Sequence, residues 1–153
     1  MHEEILDKMQ DLLKEEIENF AGDFGKTEET VMNLMMSLGR GLLQRAVNLS
    51  NNGYKGSSIA CKCGGSMKFV QYRSRDIQTL CGCITIKRAY YYCSNCGAGT
   101  SPYDKAGGLG SEKVSPAMAK ACCTLAVDDS FEHTSRKIEE LFGQKISEIQ
   151  WSG

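Results

Sequence analysis

Two short cysteine turns constrain this chain more than any other feature. Cys61-Lys62-Cys63-Gly64-Gly65 and Cys93-Ser94-Asn95-Cys96-Gly97 each bring two thiols together and follow them at once with glycine. Four soft ligands arranged as two pairs satisfy the tetrahedron that Zn²⁺ prefers. Glycine after the second cysteine lets the backbone pass through positive φ, so that nearby N–H groups face the sulfurs and offset their charge. Two such turns, separated by roughly 30 residues of strand-like sequence, are the layout of a zinc ribbon. The reading is one structural Zn²⁺ on Cys61, Cys63, Cys93 and Cys96, although the first pair has one intervening residue where two are usual. With thiolate in all four positions there is no place for water, and hydrolysis at the metal is excluded.

The chain has four further cysteines among its 153 residues. Cys81 and Cys83 are the rival ligands, either replacing one pair or binding a second ion. Their remaining partners are Cys122 and Cys123, which are adjacent; in a helix such neighbours point about 100° apart and chelate poorly. Cys122 and Cys123 therefore read as small buried or half-buried hydrophobes, and Cys81 as turn packing. Neither His2 nor His133 is placed by a local motif to activate a thiol. The acidic start Met1-His2-Glu3-Glu4 has no signal-peptide layout, and no apolar run reaches the ~20 residues of a membrane span. The expectation is a cytoplasmic protein, where cysteines serve metals rather than disulfides.

Charge is distributed unevenly. The net −1 conceals −7 over residues 1–30, +8 over 31–100 and −2 over 101–153. Five of the six tyrosines lie in the basic middle: Tyr54, Tyr72, Tyr90, Tyr91 and Tyr92. A solvated lysine-rich face is one reading of this pattern and a polyanion-binding surface is the other.

The fold class expected is α+β. Residues 4–20 carry Leu6, Met9, Leu13, Ile17 and Phe20 at helical spacing. A second helix, capped by Thr27, runs to Leu49 on the stripe Val31, Met35, Leu38, Leu42, Ala46 and Leu49. Residues 1–50 should form an acidic antiparallel helical hairpin. Gly39 and Gly41 would permit close helix approach, and Met32, Met35 and Met36 would fill a core or a dimer interface. The stripes are wide, flanked by Ile5, Leu12, Met32, Met36 and Leu43, so a homodimer through residues 1–50 is expected.

Residues 51–58 read as a linker and 59–110 as the zinc ribbon. Its three strands are expected over Met67–Tyr72, Ile77–Leu80 and Ile84–Tyr92, with a turn at Cys81-Gly82-Cys83 and a loop over 99–114. Residues 115–153 read as helical. Ser115-Pro116 starts one helix, and Asp129 with Glu132 forms a capping box for another that stops at Gly143. Ser147 opens a third, and the chain then ends, so the segment reads as truncated. Residues 131–150 fit a helix-turn-helix with a shortened recognition helix; an ordinary helical corner is the alternative.

The run Arg75-Asp-Ile-Gln78-Thr79-Leu80-Cys-Gly82, followed by Arg88-Ala89-Tyr90-Tyr91-Tyr92-Cys93, resembles the N-terminal part of insertion-sequence DDE transposases of the Kra type. Those proteins carry a Cys-Gly-Gly knuckle, an Arg-x-x-Gln-Thr-Leu-x-Gly hairpin, an Arg-Ala-Tyr-Tyr-Tyr-Cys strand and a Pro-x-Asp-x-x-x-Gly-Leu loop. Pro102, Asp104, Gly108 and Leu109 fit the loop. The resemblance spans about Ser58 to Gln150 and is most specific from Gln78 to Gly97. The chain ends where the family's catalytic RNase-H-like domain would begin, and the acidic metal ligands of that domain have no counterpart. Asp128 and Asp129 read as helix caps. No enzyme activity is expected.

The resemblance and the charge together imply a non-catalytic DNA-binding fragment of a transposase, recognising transposon ends or nonspecific duplex DNA. Lys62, Lys68, Arg73, Arg75, Lys87 and Arg88 would meet phosphates, with backbone contacts from Arg136, Lys137 and Lys145. Three successive tyrosines on one strand must face both sides, so at least one of Tyr90–Tyr92 should be exposed. The alternative is a protein-interaction module derived from such a fragment, its acidic N-terminal helices serving a protein partner.

Overall fold

The computed structural model describes residues 23–127 and 130–146, together with Asp7, Asp11 and Lys14. Of the helix expected over 4–20 only Asp7, Asp11 and Lys14 are described, each of them helical; the rest of it, and with it the helical hairpin, lies outside the described residues. So do the Asp128–Asp129 pair, the short helix from Ser147 and Trp151. The chain divides into two units, Met1–Met35 and Met36–Gly153. The described fold is α+β, with four helices and one four-stranded antiparallel sheet in the order β1-β2-β3-β4.

Helix α1 covers Phe24–Leu49 and begins earlier than Thr27. The Asp23 carboxylate accepts the Lys26 N–H at 3.2 Å, and the Thr27 hydroxyl donates to the Asp23 carbonyl at 2.9 Å. Aspartate caps as well as threonine, so the earlier candidate takes the role. In the second unit, Leu43 and Val47 of α1 pack on Ile77, Ile84 and Ile86 of the sheet, joined by Tyr103 and Leu109. Gly39 does allow a close approach, but to a β-turn: a Cβ there would stand 3.1 Å from Cys81 Sγ. Gly41 faces open space. One turn on from Arg40, Gln44 treats the sheet edge as a neighbouring strand would. Its amide nitrogen donates to the Thr85 carbonyl at 2.8 Å and its oxygen accepts the Thr85 N–H at 2.9 Å.

The expected three strands become four. β2 is one strand, Ser66–Thr79, and pairs with β3, Gly82–Tyr92, along nearly its whole length. The polar run Arg73-Ser74-Arg75-Asp76 interrupts the apolar alternation and hides this continuity. A register shift between Phe69 and Gln71 bends the ladder near its open end. The short β1 (Ser58–Ala60) pairs with β2, and β4 (Gly99–Thr100) with β3. Both are too short to leave a period in the sequence.

Residues 51–58 are bound to the sheet rather than free as a linker. The Asn52 carbonyl accepts the Ala89 N–H at 2.8 Å, and the Ser57 carbonyl accepts the Phe69 N–H at 2.9 Å, so the segment crosses from the β3 side to the β2 side. Midway, the Tyr91 hydroxyl accepts the Lys55 N–H at 2.8 Å and donates to the Gly56 carbonyl at 2.9 Å. Gly53, at φ 76°, is required where this segment meets Tyr103: a Cβ there would lie 2.6 Å from the Tyr103 backbone nitrogen. Polar, glycine-rich composition marked the segment as irregular, which it is, but said nothing of these backbone partners.

Within the loop expected over 99–114, a short helix α2 (Pro102–Ala106) follows β4. Beyond it, Val114 bridges Gln78, with Gln78 N–H donating to the Lys113 carbonyl at 2.7 Å. That contact sets the start of α3 (Pro116–Leu125), where the Ser115 hydroxyl accepts the Met118 N–H at 3.1 Å, as the Ser-Pro start signal requires. Helix α4 (Phe131–Phe142) is capped by Ser130, whose hydroxyl accepts the His133 N–H, one residue later than the capping box suggested. Gly143 ends it at φ 62°. Met118 and Cys122 of α3, Ile138 of α4, Val114 and Ile146 form the core beneath these helices.

Candidate metal centre and its basic surroundings

The two cysteine turns meet at one end of the sheet. β1 leads into Cys61, and β3 delivers Cys93 from its last residue, Tyr92. The first turn closes by Gly64 N–H to the Cys61 carbonyl at 3.1 Å, the second by Gly97 N–H to the Cys93 carbonyl at 2.9 Å. The residue missing from the first turn is thus absorbed by a tighter closure, three residues long instead of four. Gly64 and Gly97 both sit at positive φ, 84° and 73°, as their position after the second cysteine demands. Beneath the turns, Cys61 and Cys93 belong to a small core with Met67, Ala89 and Tyr91, which is 0 % exposed.

The four Sγ atoms of Cys61, Cys63, Cys93 and Cys96 all lie within 4.8 Å of one another. Cys61 and Cys96 are 3.6 Å apart, and Cys63 and Cys93 3.7 Å. A tetrahedron with metal–sulfur bonds of 2.3 Å needs edges of about 3.8 Å, so the donor set fits a thiolate-bound metal ion. Among the described residues no other group of three or more histidines, cysteines or acids converges in this way. The Gly65 N–H, then the Asn95 amide and the neighbouring sulfurs, pull the Cys63 thiol down to about 6. At Cys96 the Ala98 N–H pulls the same way, but hydrogen bonds with Cys61, Cys63 and Cys93 outweigh it and push the thiol up to about 12. Of these two thiols Cys63 gives up its proton the more readily.

The remaining cysteines stand apart from this centre. Burial first, then the Asp76 carboxylate, raises the Cys83 thiol against the opposing Arg40 charge. Cys122 is 0 % exposed and its thiol is raised by burial. Cys123 is exposed.

The nine basic residues singled out in the sequence fall into three groups. Lys62, Lys68, Arg73 and Lys87 are exposed on the cysteine turn and the β2–β3 pair, and none has an acidic partner among the described residues. The Arg73 guanidinium lies 3.5 Å over the Tyr90 ring, and Lys87 Nζ lies 5.5 Å from the Tyr72 ring centroid. Arg136 stands 4.0 Å from Glu140 and Lys145 3.3 Å from Glu139, exposed pairs worth little, and Lys137 shares the α4 surface.

Arg75 and Arg88 correct the expectation. Their side chains are only 11 % and 17 % exposed and both ion-pair with Asp104 of α2. Arg75 also donates to the Gly110 and Glu112 carbonyls. These two cations hold the 102–112 segment against the sheet and are not presented to a polyanion. Sequence reasoning missed Asp104, Gln44 and the Tyr91 hydroxyl as structural partners. For Asp104 a signal existed, since an acid placed just after Ser101-Pro102 in a basic region invites an internal pair.

No helix among the described residues is long and apolar enough to cross a membrane. No curated protein and no solved structure matches the chain. A family pattern does match, over residues 27–150, from within α1 through the sheet and both C-terminal helices. By that match, which takes in all four clustered cysteines, the chain belongs to the uncharacterised protein family UPF0236.

Proposed function

We propose that this chain is a non-catalytic, zinc-ribbon DNA-binding module of the kind found at the N-terminal end of insertion-sequence transposases. One structural Zn²⁺ on Cys61, Cys63, Cys93 and Cys96 ties β1 to β3 and carries folding energy without chemistry. Lys62, Lys68, Arg73 and Lys87 grip DNA phosphates, in a transposon end or nonspecifically. The observation that carries this reading is that these four cations, exposed on the cysteine turn and the β2–β3 pair, are left without acidic partners while Arg75 and Arg88 are consumed internally.

Fluorescence anisotropy of labelled duplex tests it. Binding is expected at low salt with a log–log slope of about −0.9 per phosphate contact. No binding at low salt with zinc in place would end the DNA reading.

A second reading has its own support. In the second unit, helix α1 exposes Leu38 and Leu42, by 39 % and 69 %. Such a surface suits a homodimer or another protein partner, and in that reading the chain is an interaction module.

A further inference from the structure

One face of the β2–β3 pair combines bare aromatic surface with uncompensated charge. The register sets Lys68 opposite Tyr92, Gln71 opposite Tyr90 and Arg73 opposite Arg88, and directly opposed residues project to the same face. Lys68, Gln71, Arg73 and Tyr92 are exposed there, Tyr92 by 44 %. Asp104, at the far end of this face, is taken up by Arg75 and Arg88. Lys68 and Arg73 meet no acid among the described residues.

The Tyr90 ring is held in place. Gly99 of β4 lies opposite Tyr92, and its missing side chain leaves room for the Tyr90 hydroxyl to lie across β4. From the other side the Arg73 guanidinium covers the Tyr90 ring. The Tyr92 hydroxyl reaches the second cysteine turn, 3.9 Å from where a Cβ on Gly97 would stand. Tyr92 is therefore an open ring beside the cysteine turn, with Lys68 directly across the strand pair and Arg73 further along the same face.

Unpaired bases need a surface of this chemistry. Every base has a π-face that stacks on an aromatic ring regardless of sequence, whereas within a duplex those faces are already covered by neighbouring bases. Flanking cations then take the phosphates on either side. We propose that this face binds single-stranded DNA, with a base stacked on Tyr92 and the adjoining phosphates on Lys68 and Arg73. The proposal rests on the reading of the basic sheet as a DNA surface and specifies the form of DNA it takes.

The test titrates the zinc-loaded full chain against a labelled single-stranded oligonucleotide and against the blunt duplex of the same sequence, over several salt concentrations. The single strand should bind about tenfold more tightly than the duplex. Tyr92→Ala should abolish that advantage and Tyr92→Phe should keep it, with duplex affinity and zinc content unchanged in both. Equal binding of the two forms, or an advantage that survives Tyr92→Ala, overturns the proposal and leaves duplex binding intact. Binding of neither form at low salt overturns the DNA reading itself.

Discussion

Arg75 reaches from the middle of β2 to Asp104 on α2, with its Nη1 3.3 Å from the carboxylate Oδ2 that Arg88 also shares. Two half-buried arginines therefore depend on one acid, and Arg88 Nε and Asp104 Oδ1 have no further partner. Removing the acid leaves two cations facing each other with little access to water. Asp104→Asn should cost about 2–3 kcal/mol, somewhat less than breaking a fully buried pair. Denaturant unfolding at saturating zinc checks this.

The same geometry separates two classes of arginine. Arg75→Gln should destabilise the fold and leave the salt dependence of DNA binding unchanged. Arg73→Gln should do the reverse, flattening the log–log slope by about one contact. Replacing Lys87 and Arg88 together should also flatten it by about one, because only Lys87 is free. Anisotropy titrations across salt, paired with unfolding curves, distinguish the two.

Metal affinity should fall with acidity. Thiolate is the ligand, so protons and metal compete for the same sulfurs. Above about pH 6 Cys63 has already lost its proton, and below that value it must be stripped by the metal. Affinity measured by competition with a chelator should therefore drop more steeply below pH 6 than above it. A flat profile between pH 5 and 8 would argue against thiolate ligation.

Gly53→Ala should be among the more damaging single-methyl additions. The position is at φ 76°, and the new Cβ would meet the Tyr103 backbone, which cannot move away as a flexible side chain would. A loss of at least ~2 kcal/mol is expected from the left-handed backbone and the clash together. Gly41→Ala, facing open space in α1, should instead stabilise slightly. Thermal melts of the two variants provide the comparison.

Self-association through α1 is tested by substitution rather than deletion. Removing residues 1–50 would also strip Leu43, Val47 and Gln44 from the sheet they cover. Leu38→Gln with Leu42→Gln alters side chains that are 39 % and 69 % exposed, so the fold should persist. Light scattering should show a dimer for the parent chain and a monomer for the double variant. A monomeric parent at micromolar concentration removes the dimer.

What the sequence disclosed depended on how local the signal was. The cysteine set was legible because spacing and glycine placement are nearest-neighbour information, and the Ser115-Pro116 helix start was legible for the same reason. Ser101-Pro102 carries the same signal, but five helical residues leave no apolar period to support it. β2 read as two strands because Arg75 points inward to Asp104, and an inward arginine breaks the alternation that marks a strand. Which basic residues were free was beyond reach, since Asp104 lies 29 residues from Arg75 and 16 from Arg88. The crossing of residues 52–57 was hidden likewise, being fixed by a tyrosine hydroxyl 36 residues from Lys55.

The four-cysteine centre is the claim on which the rest stands, and metal content with thiol accessibility tests it most directly. Elemental analysis of the freshly purified full chain should find one zinc per chain. Cys61, Cys63, Cys93 and Cys96 should resist thiol reagents under native conditions until a chelator is added, while exposed Cys123 reacts at once. Cys63→Ser or Cys93→Ser should abolish both the zinc and the protection, and Cys122→Ser neither. Protein containing no zinc or iron, with Cys63 and Cys96 reacting in the native state as fast as exposed Cys123, would contradict the account.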